Sequence, residues 1–382
     1  MLKEINFNNP LPHGSRDLSL DLLKGISILM VVFFHNIQLN PDGFIDNLFM
    51  MAANAAVPCF FLVSGALFFS RPFHVKKHLR RMIRFYLVYV IWRTLYLTFY
   101  VSQGAPLDGS LRSLFAYHFL FQTIPGVETG HFWFMDAMLT VMLAAPLFHL
   151  CWTEHRNLIP YLMGVLFLFN QLLADGNLLL AVVCPLISKP ALDISSFAEI
   201  NPFSFRHSNY MLYYLLGAVL LESQKSDAAP LPGMHTFSHL SPYFQRRTTA
   251  LIMMCTGLTG LVLIKYLQSG TFLWQGLHVT SGYYWVSTML LACGAFLFAR
   301  TLPIDHCKPL AWFACTAGTS TMGVFYLHIP LIFLLRPALF AQFTPYNGWL
   351  LNLAESILIT AIACLITWAG KKIPGVKYLF QG

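Results

Sequence analysis

Apolar residues dominate this chain in long runs, with little of the spacing that marks one buried face. Residues 20–39, 85–101, 248–267 and 283–299 are each near or above the roughly 17–25 residues that cross a bilayer. In lipid every backbone amide must be paired within its own segment, so such runs predict helices. Strands of a membrane barrel would alternate over about ten residues, and that pattern is absent. The pattern predicts an all-α, polytopic integral membrane protein with about ten transmembrane helices. The expected spans are residues 20–40, 46–69, 83–101, 131–152, 158–174, 208–223, 248–268, 282–299, 318–340 and 349–369. Two connecting segments are long. One carries a partly apolar stretch at 111–123, which either lies on the membrane or re-enters it. The other carries residues 178–187, too short to span alone.

Composition agrees with this reading. Of 382 residues, 57% are hydrophobic and 10% charged, against about 25% charged in soluble domains. The mean hydropathy is +0.60. The net charge of +8 is placed by topology and gives no sign of a nucleic-acid partner. Basic residues gather in alternate loops: Lys3, Arg16 and Lys24; the cluster from Arg71 to Arg84; Arg156; Lys225, Arg246 and Arg247; Arg300 and Lys308; Lys371, Lys372 and Lys377. The other loops hold Arg112, Lys189 and Arg206 among more numerous acids, such as Asp42, Asp46, Asp108, Glu128, Asp175, Asp193 and Glu199. By the positive-inside rule both termini face the cytoplasm. The chain divides into a cytoplasmic segment (1–19), one transmembrane domain (20–370) and a cytoplasmic tail (371–382). The final LFQG resembles a protease-site scar and is given no role. Eight scattered cysteines show no metal-ligand spacing, and no metal is expected.

Ionisable groups inside spans are costly and therefore functional candidates. In the first span Lys24 and His35 are eleven residues apart, three turns plus roughly 20°. They share one face about 16 Å apart along the axis, with Asp21 one turn before Lys24. Snorkelling of Lys24 and a helix–helix hydrogen bond from His35 explain them equally as structure. Ser64-Gly65 permits close helix packing. Arg80, Arg81 and Arg84 read either as a topology signal or as an anion site, since guanidinium groups grip phosphates with forked hydrogen bonds. His131 and Asp136 are placed to approach one pocket, Trp133 suits an interface or a sugar, and His328 lies deep beside Pro330. Arg93 or Arg336 is a candidate ion-pair partner for Glu355 or Asp136. There is no GxGxxG, Walker loop, HExxH or GxSxG.

Five blocks in order carry a resemblance: Lys24-(x10)-His35 in LDLLKGISILMVVFFH, VPCFFLVSGALFF at 57–69, Arg80-Arg81-Met82-Ile83-Arg84, HFWFMDAML at 131–139, and GVFYLHIPLI at 323–332. The chain resembles the membrane acyltransferase 3 family, which O-acylates surface polysaccharides, lipopolysaccharide and peptidoglycan. In layout it is similar to stand-alone O-acetyltransferases such as those acting on enterobacterial common antigen. Lys24 stands where Arg is usual, the Pro usual after RRxxR is Phe85-Tyr86, and no SGNH-type domain follows the last helix.

The resemblance implies an O-acetyltransferase of the bacterial cytoplasmic (inner) membrane. No cofactor is bound; acetyl-CoA, or another acyl-CoA, is the donor. The acceptor is a hydroxyl of a surface or lipid-linked glycan. His35 is then the general base or an acyl-carrying relay, with Asn36 stabilising the oxyanion or orienting the ring. Lys24, Arg80, Arg81, Arg84 and Ser64 form the donor side. His131, Trp133, Asp136, Tyr326 and His328 form the acceptor side or pocket. The other readings left open are a transporter or flippase of an acylated or lipid-linked glycan, and a sensory or partner-binding membrane protein.

Overall fold

The structure, a computed structural model, describes residues 16–36, 44–106, 109–190, 192–203, 207–224, 242–269, 282–337 and 348–380. The expectations placed on Lys3, Asp42, Asp108, Arg206 and Lys225, and on the far ends of the first and ninth spans, lie outside these residues.

Among the described residues the chain is helical throughout, without strands. The helices are α1 (Leu18–Asn36), α2 (Phe44–Ala53), α3 (Ala56–Phe69), α4 (Val75–Ser102), α5 (Leu111–Phe119), α6 (Trp133–Glu154), α7 (Leu158–Phe167) and α8 (Leu173–Leu186). There follow α9 (Asn209–Ser223), α10 (Arg247–Ser269), α11 (Val286–Arg300), α12 (Lys308–Leu335) and α13 (Trp349–Gly370). Among the described residues seven segments are long and apolar enough to cross a membrane: Leu18–Asn36, Phe44–Phe69, Gly130–Glu154, Leu158–Cys184, Arg247–Lys265, Lys308–Leu335 and Trp349–Gly370. The other three expected spans are helices as well, but differ in kind. α9 and α11 have 15 residues each, about 22 Å, and α4 is long but charged over its first turns. Large apolar side chains exposed on α6, α10 and α13, among them Leu147, Ile252 and Leu365, suit contact with lipid rather than water.

Several boundaries moved, each for a local reason. The second span breaks at Asn54-Ala55 into α2 and α3. Pro58 then falls in the first turn of α3, where its missing N–H costs nothing; in an unbroken helix its ring would meet the Asn54 carbonyl. α4 starts at Val75, ahead of the expected 83, because Lys and Arg are good helix formers. α7 and α8 join through a π-helical turn, Leu168–Leu172, so residues 178–187 extend the fifth span instead of standing apart. The polar residues Asp175 and Asn177, just past the expected end of the fifth span, are satisfied from outside. Asp175 accepts the Val286 amide at 3.3 Å, and Asn177 binds Asp193 at 3.0 Å. α12 begins at Lys308 with Pro309 in its first turn, a position proline favours, and it runs through Pro330. The last residues also fold. Val376–Phe380 is a 3₁₀ turn, Trp92 donates to the Leu379 carbonyl at 3.0 Å, and Phe380 is buried against Gly370.

α1 is the central helix, packed against α3, α11, α12 and α13. α3 crosses α9 at a pair of glycines. A Cβ on Gly65 would stand 1.8 Å from the Tyr214 carbonyl oxygen, and one on Gly217 1.9 Å from that of Leu62. Backbone cannot yield as a side-chain tip can, so Gly217→Ala must push the helices apart. The expected cost is about 1–3 kcal/mol, read as a lower unfolding temperature in detergent.

Asp17 starts α1. Its Oδ1 accepts the Ser19 and Leu20 amides at 3.1 and 3.3 Å, an N-cap, and its Oδ2 pairs with Arg300 at the end of α11. Burial works against ionisation here, but the Ser19 hydroxyl, Arg300 and the Leu20 amide outweigh it and hold the carboxyl below its usual value of 3.8. Asn caps as well as Asp, so Asp17→Asn isolates the charge. The wild type should be more stable than Asp17→Asn at pH 7 by about 1 kcal/mol or less. That advantage should vanish as the pH falls below 3.8 through the depressed value, in parallel melts of the two proteins.

Candidate functional site

Two cavities lie along one face of α1. The first, about 370 Å³, is lined at α1 by Lys24 and Ile28. Arg16, Arg71, Arg81 and Lys371 complete its charge, and no carboxylate lines it among the described residues. Asp21, one turn before Lys24, sits behind the wall, where it pairs with Lys24 at 2.7 Å and with Arg16. One buried carboxylate therefore faces a cluster of cations, and the cavity remains positive. Hydroxyls are supplied by Ser64, Thr319 and Thr321. Lys371 donates to the Thr319 carbonyl at 2.8 Å. Burial first, then the charge of Arg16 and of Lys24, pull its ammonium below the ordinary lysine value, against the effect of Cys364.

Of the arginines singled out in the sequence, Arg81 lines this cavity. Arg80 and Arg84 do not, although all three are exposed; Arg84 lies over the Tyr378 ring at 6.0 Å. A helical RRxxR block spreads its three side chains around the cylinder, so one of them borders the cavity here. The structure adds Arg16, Arg71 and Lys371, which in sequence look like any loop cations near a span.

The second cavity, about 60 Å³, continues along α1 past Val31, Phe34 and His35, and is also lined by His131 and Trp133. Trp133 packs its ring against Tyr210 and Tyr283, with centroids 5.6 and 5.2 Å apart. Three imidazoles cluster here. Ring centroids are 5.2 Å apart for His35–His328, 5.1 Å for His131–His328 and 6.1 Å for His35–His131. They come from α1, from the 3₁₀ turn Gly130–Phe132 that opens α6, and from α12.

The hydrogen bonds assign two of the three tautomers. His328 Nδ1 lies 2.6 Å from the Phe325 carbonyl; a carbonyl only accepts, so Nδ1 carries the proton and Nε2 is a lone pair. Tyr96 gives its single proton to the Tyr326 carbonyl at 2.7 Å. Its oxygen must therefore accept from His131 Nε2 at 3.2 Å, which leaves His131 Nδ1 as a lone pair. Neither His328 Nε2 nor His131 Nδ1 has a partner among the described residues. Both rings are buried, at 0% and 4% exposure, while His35 is only half-buried. Two fixed acceptors thus stand beside one accessible imidazole.

Other candidates lie elsewhere. Asn36 is fully buried and turns to α13, where its amide donates to Glu355 at 2.8 Å. It lines neither cavity and ties two helices together, which removes the basis for an oxyanion role. The same bond corrects the expected partner of Glu355, which faces an amide and no arginine in the described contacts. Asp136 accepts from the Tyr89 hydroxyl at 2.8 Å, and Arg93 donates to that hydroxyl at 3.0 Å. Arg93 and Asp136 are therefore linked through Tyr89 rather than paired. Asp136 lines a separate groove with Tyr86 and Leu143, so it does not share a pocket with His131. Tyr326 is fully buried and stacked on Trp92 at 4.7 Å; its carbonyl, through Tyr96, is what it gives the histidine cluster.

Neither curated proteins nor solved structures yield a match to this chain. The acyltransferase 3 family's acyltransferase domain matches residues 17–369. That stretch runs from the cap of α1 almost to the end of α13; it contains the whole lining of the histidine cavity and all of the cationic cavity's lining except Arg16, Lys371 and Phe380. The chain belongs to the acyltransferase 3 family of membrane acyltransferases.

Proposed function

We propose that this protein transfers an acetyl group from cytoplasmic acetyl-CoA to a hydroxyl of a surface or lipid-linked glycan in a bacterial inner membrane. In this reading it has ten spans and both termini in the cytoplasm, as the distribution of basic residues suggests. The observation that carries the proposal is the stripe Lys24–Ile28–Val31–His35, which lines first the cationic cavity and then the histidine cavity. Coenzyme A is a polyphosphate with a long thin arm that ends in the thioester. Its phosphates suit Arg16, Lys24, Arg71, Arg81 and Lys371. Its arm follows α1 for the roughly three turns that separate Lys24 from His35.

His35 acts as general base. It takes the proton of the acceptor hydroxyl as that oxygen attacks the thioester carbonyl. A carbon–oxygen bond forms, the carbon–sulfur bond breaks, and the proton passes to the departing thiolate to give free CoA. The lone pairs of His131 and His328 accept an N–H of His35 or the acceptor hydroxyl, and so hold the partners in line. Trp133 offers the acceptor sugar an aromatic face. An acyl-His35 relay uses the same groups in two steps.

The test is transfer of labelled acetyl from acetyl-CoA to a crude surface-glycan extract by the purified protein. Label in the glycan with release of free thiol supports the proposal. Movement of a lipid-linked glycan across vesicles with no thiol released would put a flippase in its place.

A further inference from the structure

The cationic and histidine cavities meet at three phenylalanines, since Phe60, Phe134 and Phe325 line both. The Phe134 ring lies 5.8 Å from Phe60 and 5.3 Å from Phe325, so the rings form one wall. Two of them are held firmly. Phe134 is backed by Phe61 at 5.5 Å, and Phe325 abuts the His131 ring at 5.4 Å. Both are buried, whereas Phe60 is half-buried and has Phe134 as its ring partner among the described residues. On α1 the wall falls between Ile28, on the cationic side, and Val31, on the histidine side, about 4.5 Å apart along the axis.

We infer that this wall sets the size of the acyl group the protein transfers, with Phe60 as the deciding side chain. The inference rests on the proposed acyl-CoA reaction. For His35 to serve the thioester carbonyl, the acyl group must lie past the wall, in the cavity of about 60 Å³. A cavity of about 150 Å³ holds a benzene ring. Less than half of that leaves room for the carbonyl and a methyl group, and each further methylene must displace a ring. A fitted apolar pocket separates substrates that differ by one methylene by about 10–200-fold. Truncation of Phe60, the least confined ring, opens the histidine cavity towards the larger one. The wall thus admits a two-carbon group and rejects a four-carbon one.

The experiment measures thiol release from acetyl-, propionyl- and butyryl-CoA, in the presence of a crude surface-glycan extract as acceptor, by the purified wild type and by Phe60→Ala, Phe60→Leu and Phe60→Trp. The wild type should favour acetyl. Phe60→Ala should raise the butyryl-to-acetyl ratio of kcat/KM about 10-fold or more, with Phe60→Leu between the two. Phe60→Trp should lower the propionyl-to-acetyl ratio. Phe60→Leu guards against a poorly folded alanine variant. Wild-type ratios in both truncated proteins, with acetyl-CoA still turned over, would overturn the inference and leave the proposed reaction standing. A wild type that releases thiol from none of the three donors removes the reaction and the inference together.

Discussion

His35→Ala should lower acyl transfer by about 10²–10⁴-fold, the usual contribution of a positioned acid–base group, while acetyl-CoA still binds. His35 lines the smaller cavity, and the cations Arg16, Lys24, Arg71, Arg81 and Lys371 line the larger one, so its loss should show in kcat far more than in donor affinity. Its accessibility sets it apart from its neighbours. His131 and His328 are committed by one nitrogen each to Tyr96 and to the Phe325 carbonyl, and each offers a fixed lone pair. Parallel assays of turnover and of acetyl-CoA binding distinguish this result from a general loss of folding, which would abolish both.

Arg81→Ala and Lys371→Ala should each weaken acetyl-CoA binding by about 10–150-fold, which corresponds to the roughly 1.5–3 kcal/mol of a hydrogen bond to a charged group. Both side chains line the larger cavity, and neither is in an ion pair among the described residues. Lys24→Ala is a less clean probe, because it leaves the buried Asp21 with Arg16 alone. Lys371 adds a pH signature. Its ammonium titrates below 10.5, lowered first by burial and then by the adjacent positive charges. Affinity for the anionic donor should therefore be full at low and neutral pH and decline as the pH rises through that lowered value. Lys371→Arg, whose charge persists beyond pH 12, should remove the decline. Titration calorimetry across alkaline pH checks both points.

Much of the helical architecture is legible in the pattern because lipid forces paired backbones into long apolar runs. What the pattern misjudges are places where a helix is built from polar or small residues. The charged start of α4, the small residues that open α12 and the polar Asp175-Gly176-Asn177 stretch inside α8 are all helical, and in the last Val286 and Asp193 meet the polar groups. The first-helix stripe is legible because one unbroken helix carries both residues, and the eleven-residue spacing survives folding. Relations between helices are harder to read. Helices apolar on all sides carry little sign of which face turns inward, so the burial of Asn36 against Glu355 is not visible beforehand, nor does the charged start of α4 show which of its arginines borders the cavity. His131 and Asp136 diverge for a plain geometric reason: five positions are about 140° apart in a helix, and His131 belongs to the 3₁₀ turn ahead of α6. Lys371 and Arg16 join the cavity from opposite ends of the described chain, a proximity that only the packing of α1, α12 and α13 creates.

The most direct test of the account is single-turnover thiol release from acetyl-CoA, with and without a glycan acceptor, by wild type and His35→Ala whose donor binding has been measured in parallel. The account predicts that both proteins bind acetyl-CoA and that only the wild type releases thiol when acceptor is added. Release by His35→Ala at the wild-type rate, or a wild type that does not bind acetyl-CoA, would contradict it.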